Sequence, residues 1–107
     1  MSKYMRLFVM FDLPTSTAGE RRAATQFRKF LLQDGFYMMQ YSVYVRICNG
    51  LESAKRHEER VKLSVPSCGS VRILRITEKQ YAAMSILCGD LKQEIDKNYS
   101  ENPVTVL

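Results

Sequence analysis

Asp12 is the side chain best placed to do chemistry. It ends the run Met5-Arg6-Leu7-Phe8-Val9-Met10-Phe11, which is apolar at nearly every position, and Leu13-Pro14 closes that run. A short apolar run of aromatic and branched residues that stops at a turn signal reads as a buried strand. A central strand can be apolar on both faces, so the broken alternation fits. A carboxylate at its tip is held rigidly and still meets solvent, which suits a metal ligand or a general base. The plainer role for such an aspartate is to open a turn or to cap the next segment.

A second group is basic. Arg21, Arg22, Arg28 and Lys29 fall close together on one side of a predicted helix, and Glu20 is the only acid nearby. That imbalance suits the phosphates of a nucleic acid, although charge on a helix exterior is usually a solvated face. Other reactive residue types offer less. His57 is the only histidine; on a charged helix it reads as solvated, and it has no second histidine with which to share zinc. Cys48, Cys68 and Cys88 are far apart, form no C-x-x-C pair, and read as buried reduced thiols. The tyrosines between 37 and 44 could stack on bases, yet in a half-buried strand they read as packing.

Regular elements must position these groups. Thr17-x-x-Glu20 has the form of a capping box, and helical spacing holds to about Gln33, with Gly35 as terminator. Ala23, Ala24, Phe27, Phe30 and Leu31 make its apolar face. From Phe36 to Ile47 the chain alternates, with Tyr37, Met39, Tyr41, Val43, Val45 and Ile47 on one face and Met38, Gln40, Ser42, Tyr44 and Arg46 on the other. That is long for one strand, so a bend, bulge or split is expected near Gln40-Tyr41. Asn49-x-x-Glu52 is a second capping-box form, opening a surface helix that ends before Pro66. Its expected i,i+4 pairs are Glu52/Arg56, Lys55/Glu59 and Glu58/Lys62. Val71 to Ile76 reads as a further strand, Thr77 to Tyr81 as a helical turn, and Met84 to Cys88 as a last strand stopped by Gly89.

The order is β-α-β-β-α-β, an α+β ferredoxin-like sandwich with an extra C-terminal strand. Its helices cover one face of the sheet. The strands carry large apolar groups for the other face as well, among them Phe8, Met10, Tyr41 and Tyr44, so burial in a homodimer is expected. With 107 residues the chain reads as a single domain over 1–107, with a core of about 4–89 and a tail of about 90–107. The 46% apolar content argues against disorder. No apolar stretch reaches membrane-spanning length, and a cytoplasmic protein is the expectation. Net charge is +5; residues 1–75 hold 13 Lys/Arg against 6 Asp/Glu, while 76–107 hold 3 against 5. A basic core suggests an anionic partner and a tail with a different task.

Several pieces together resemble a known family: the small dimeric subunit of the CRISPR spacer-acquisition (adaptation) machinery, companion of the spacer integrase. They are the first strand ending Phe11-Asp12-Leu13, the arginines Arg21 and Arg22 at a helix start, Gln40-Tyr41-Ser42-Val43-Tyr44, and Ile76-Thr77-Glu78-Lys79-Gln80-Tyr81 before a stretch ending at Gly89. Phe11 stands where the family often has tyrosine, and Met38 where some members carry a basic residue. The resemblance implies a ferredoxin-like homodimer whose fifth strand pairs with the other subunit. It implies magnesium-dependent endonuclease activity with Asp12 as catalytic metal ligand. It also implies a scaffold that holds duplex DNA and bridges integrase dimers.

One carboxylate per chain leaves room for water and phosphate oxygens around magnesium, and a twofold axis would bring a second Asp12. On this reading Arg21, Arg22, Arg28 and Lys29 bind nucleic acid. Pro103, Val104, Thr105, Val106 and Leu107 dock on the integrase by strand addition. The alternatives are a stand-alone metal-dependent endoribonuclease and a non-catalytic RNA-binding module. The last lacks its expected Lys/Arg-Gly-aromatic strand motif.

Overall fold

The first apolar run forms β1 (Met5–Asp12) and takes an inner position in a four-stranded antiparallel sheet. The computed structural model describes residues 3–89. In chain order β1 is followed by α1 (Ala18–Gln33), β2 (Tyr37–Gln40), β3 (Val43–Cys48), α2 (Leu51–Lys62), β4 (Ser70–Thr77) and α3 (Glu78–Ala82). Across the sheet the order is β2-β3-β1-β4. This is the ferredoxin-like arrangement that the element order predicts.

Residues directly opposite in an antiparallel ladder share a face. Leu7, Val9 and Phe11 therefore point one way, with Arg46, Tyr44 and Arg75 among their partners. That side is the core: Leu7, Val9, Phe11, Tyr44 and Cys48 pack against Phe27 and Leu31 of α1 and Ala54 and Val61 of α2. Phe11 stands edge-on to Phe27 with 5.3 Å between ring centroids and stacks on Tyr44 at 5.6 Å. Phe8, Met10 and Asp12 point the other way, and their partners include Leu74, Arg72, Ser70, Val45 and Val43. We call this second side the open face. Near the start of β1 it is roofed by α3, whose Tyr81 ring lies 6.1 Å from that of Phe8 and 4.0 Å below the Arg6 guanidinium.

Local signals explain the element ends. Thr17 and Glu20 form the expected capping box at α1, and Gly35, at φ 93°, follows its C-cap Asp34. Thr77 and Gln80 form an equivalent box at α3. The predicted box at Asn49 does not form. Gly50, at φ 98°, is the N-cap of α2 and no side chain caps it, because the Asn-Gly turn moves the helix start one residue on. The long alternating stretch splits into the hairpin β2–β3, with a register shift between Met38 and Gln40 and Ser42 at φ 62° in the turn. The shift places Gln40 opposite Val43, on the face assigned to Tyr37 and Val45. Tyr44 belongs to the core rather than the second face, and Tyr41 lies in the turn, 79% exposed.

Two further expectations change. None of the three i,i+4 pairs appears on α2. Glu58 instead reaches Arg75 of β4 at 2.9 Å and Glu59 takes Lys62 at 3.3 Å, because Glu58 lies at the seam between helix and sheet. Met84 to Cys88 is not a strand in this single chain, and it has no ladder partner among the described residues. The tail, with Pro103 to Leu107, lies outside the described residues.

Candidate functional site

Asp12 is the last residue of β1 and is exposed. Its backbone is fixed from three sides. Ser70 of β4 lies directly opposite, the Phe11 amide donates to the Ser42 carbonyl at 3.1 Å, and the loop before β4 presses on Asp12 at Gly69. A Cβ on Gly69 would lie 2.7 Å from the Asp12 carbonyl oxygen, so only glycine permits this approach. The carboxylate itself makes no hydrogen bond or ion pair among the described residues. Capping of α1 is done by Thr17, not by Asp12. The tip is therefore rigid in its backbone and free in its oxygens, which is the condition for binding an outside cation or proton.

Among the described residues no three His, Cys, Asp or Glu side chains come together to hold a metal. On the open face Asp12 stands directly across from Ser70, with Arg72 diagonal to it. Within one chain Asp12 is a single anionic ligand, compatible with magnesium only where water, phosphate and a second carboxylate fill the remaining positions.

The four basic residues of α1 differ in their surroundings. Arg22 and Lys29, seven residues apart, share the outward side of the helix and are exposed, with no partner among the described residues. Arg21 is exposed but turns back, its Nη1 donating to the carbonyls of Thr15 at 3.0 Å and Ser16 at 3.3 Å. Arg28 is half-buried at the flank. There its charge opposes the effect of burial on Tyr44, whose hydroxyl burial nevertheless pushes above its ordinary pKa. The outward side of α1 and the Asp12 carboxylate lie on opposite sides of the sheet. A single phosphate cannot touch both Lys29 and Asp12 in one chain.

His57 is not solvated. Its Nδ1 lies 2.7 Å from Asp34 Oδ2, while Arg60 Nε donates to Oδ1 at 2.7 Å. Arg46 Nη1 adds a bond of 2.8 Å to the Asp34 carbonyl. This knot ties the end of α1 to α2 and β3 and has a structural purpose. Arg6 is likewise consumed, bridging to Glu78 through Nε and Nη2. Of the thiols only Cys48 is buried; Cys68 and Cys88, in irregular segments, are exposed. Burial raises the Cys48 thiol, with Arg46 opposing. An apolar cavity of about 130 Å³ lies between Leu13, Pro14, Ala23, Ala24 and Pro66. Glu20, its one charged wall, is already bonded to the amides of Ser16 and Thr17.

Sequence reasoning overlooked Ser70 and Arg72, which share the open face with Asp12. The signal was the alternation in Val71-Arg72-Ile73-Leu74, unusable until β4 was paired to β1.

Known proteins resemble this chain over most of its length. The family profile described as "CRISPR associated protein Cas2" matches residues 5–84. A protein of Acidovorax ebreus (strain TPSY) named "CRISPR-associated endoribonuclease Cas2" is 53% identical over 85 residues, covering 79% of this chain and 83% of that protein. One of the same name from Lacticaseibacillus rhamnosus (strain ATCC 53103) is 43% identical over 102 residues, covering 95% of this chain and all of its own. Another, from Campylobacter jejuni (serotype O:2), is 48% identical over 89 residues, or 83% of this chain and 62% of that protein.

Proposed function

This chain belongs to the Cas2 family of CRISPR-associated proteins, and from that premise we propose that it serves CRISPR adaptation as a twofold scaffold with a separable phosphodiesterase site. As a scaffold it binds duplex DNA through the outward side of α1 and bridges integrase dimers. As a hydrolase it uses Asp12. The observation that carries this reading is the placement of the two features on opposite sides of one sheet, so that binding and hydrolysis need not share residues.

The open face supports a dimeric reading. Leu74 is 48% exposed and Ile47 36% exposed there, which a second copy would cover. Such a dimer would place two Asp12 carboxylates near its axis and complete the metal site that one chain leaves short. Magnesium bound there would neutralise phosphate charge and lower the pKa of a bound water. The residues of this chain supply the rest: Asp12 holds the cation, the Gly69 contact and the β4 ladder keep Asp12 in place, and Arg22 and Lys29 hold the nucleic acid backbone. The segment Pro103 to Leu107 is proposed as the integrase-docking strand.

Relatives named endoribonucleases support a second reading, a stand-alone RNA-cleaving enzyme at the same Asp12. A base-stacking RNA module has less support, since Phe8 of the open face is buried beneath Tyr81.

Asp12→Asn tests the division. Magnesium-dependent cleavage of RNA and DNA by the purified variant should fall to background, a loss of several kcal/mol in transition-state stabilisation by order of magnitude. Duplex affinity and spacer acquisition in cells should persist. Acquisition abolished in a variant that stays folded and DNA-binding would make hydrolysis the physiological function.

A further inference from the structure

Two arginines stand on the open face within the strands, Arg6 and Arg72. Arg6 is buried and held by Glu78 and by the Tyr81 ring. Arg72 differs in every respect: it is exposed, and it has no hydrogen bond or ion pair among the described residues. Its position is set by the ladder. Arg72 pairs with Met10, and Ser70, two residues earlier, pairs with Asp12. Arg72 and Asp12 are thus diagonal neighbours on one face, and such neighbours have Cβ atoms roughly 7 Å apart. A carboxylate and a guanidinium at that spacing commonly pair, yet here neither is engaged.

We propose that Arg72 is a phosphate-binding residue of the open face, gripping the phosphodiester that Asp12 addresses. The proposal rests on the reading of Asp12 as a nucleic-acid-facing carboxylate and adds to it a second point of attachment. The chemistry favours arginine at this place. A phosphodiester has two non-bridging oxygens; the guanidinium can donate both of its forked N–H groups to one of them, leaving the other for a cation on Asp12. The Ser70 hydroxyl, directly across from Asp12, adds a neutral donor between them. Nucleic acid would then touch the protein on both sides of the sheet, with α1 holding one segment of backbone and Arg72 another.

The test uses the full-length chain and a short duplex DNA in metal-free buffer, with Arg72→Gln and Arg72→Lys. Both substitutions keep a long side chain at an exposed site, and thermal melts of the two should match the parent. Arg72→Gln should make the log-log salt dependence of binding shallower, by about 0.9 for each phosphate that position 72 no longer neutralises. Arg72→Lys should keep the slope but lose roughly tenfold in magnesium-dependent cleavage, because a point charge replaces a fork. An unchanged slope in Arg72→Gln overturns the proposal. So does self-association or dimer loss with an unchanged slope, which would assign Arg72 to guarding the sheet edge or to pairing with the second copy. If the parent protein cleaves nothing, the hydrolytic reading of Asp12 fails alone, and the slope still decides the role of Arg72.

Discussion

Asp12 and Asp34 are both aspartates at the ends of regular elements, and the chain treats them in opposite ways. Asp34, at the C-cap of α1, is buried, and both of its carboxylate oxygens are taken, by His57 and Arg60. Asp12, at the end of β1, is exposed, and its oxygens are taken by nothing among the described residues. At Asp34 the side chain fixes the backbone. At Asp12 the backbone, through Ser70, Ser42 and Gly69, fixes the side chain's base and leaves its charge uncommitted. A carboxylate satisfied from within is a structural part; one held in place but unsatisfied is available to a ligand.

Stability measurements sharpen or break this contrast. Asp34→Asn should lower the unfolding free energy by about 2–3 kcal/mol in urea titrations, as the carboxylate's charge-assisted bonds with Arg60 and His57 are lost. The figure stays below that for a fully buried pair because the Arg60 side chain is 59% exposed and rehydrates. Asp12→Asn should change stability by no more than about 0.5 kcal/mol. Equal losses from the two substitutions would erase the distinction.

Gly35→Ala attacks the same knot through the backbone. Gly35 has φ 93°, and a Cβ there would fall 1.7 Å from Arg46 Nη1, which is already bonded to the Asp34 carbonyl. A cost of about 2 kcal/mol is expected, from left-handed strain and the displaced guanidinium. His57→Gln removes one partner of Asp34 and should cost about 1 kcal/mol. Arg22→Ala with Lys29→Ala, on the outward side of α1, should move stability by less than about 0.5 kcal/mol. The same pair should flatten the salt dependence of duplex binding; a steep, unaltered slope would place the DNA elsewhere.

The sequence was most legible where the governing interactions are short-range. The Thr17–Glu20 box, the stop at Gly35 and the strand closed by Asp12-Leu13-Pro14 each depend on neighbours within a few positions, and all three stand as read. Alternation from Phe36 to Ile47 foretold a break, and the hairpin turn at Tyr41-Ser42 supplied it. What escaped is long-range. Asp34 meets His57 and Arg60 across 23 and 26 residues, so His57 looked solvated on its own helix. Arg72 looked like any strand arginine because its relation to Asp12 exists only once β4 is registered against β1. Asn49 misled through a rule applied one residue early: the form of a capping box was present, but Gly50 took the helix start.

The ladder that holds Asp12 also imposes a parity on the chain. Successive side chains of β1 alternate between the core and the open face, from Leu7 inward and Phe8 outward to Phe11 inward and Asp12 outward. One residue inserted or deleted between Phe8 and Asp12 would turn the carboxylate towards Phe27 and Tyr44, where an unpaired charge is strongly disfavoured. Two residues would restore its direction while moving it one step along the sheet. Length changes in this strand are therefore tolerable only in even steps. The loop after Lys62 carries no such rule and is where the chain can vary in length without turning Asp12 inward.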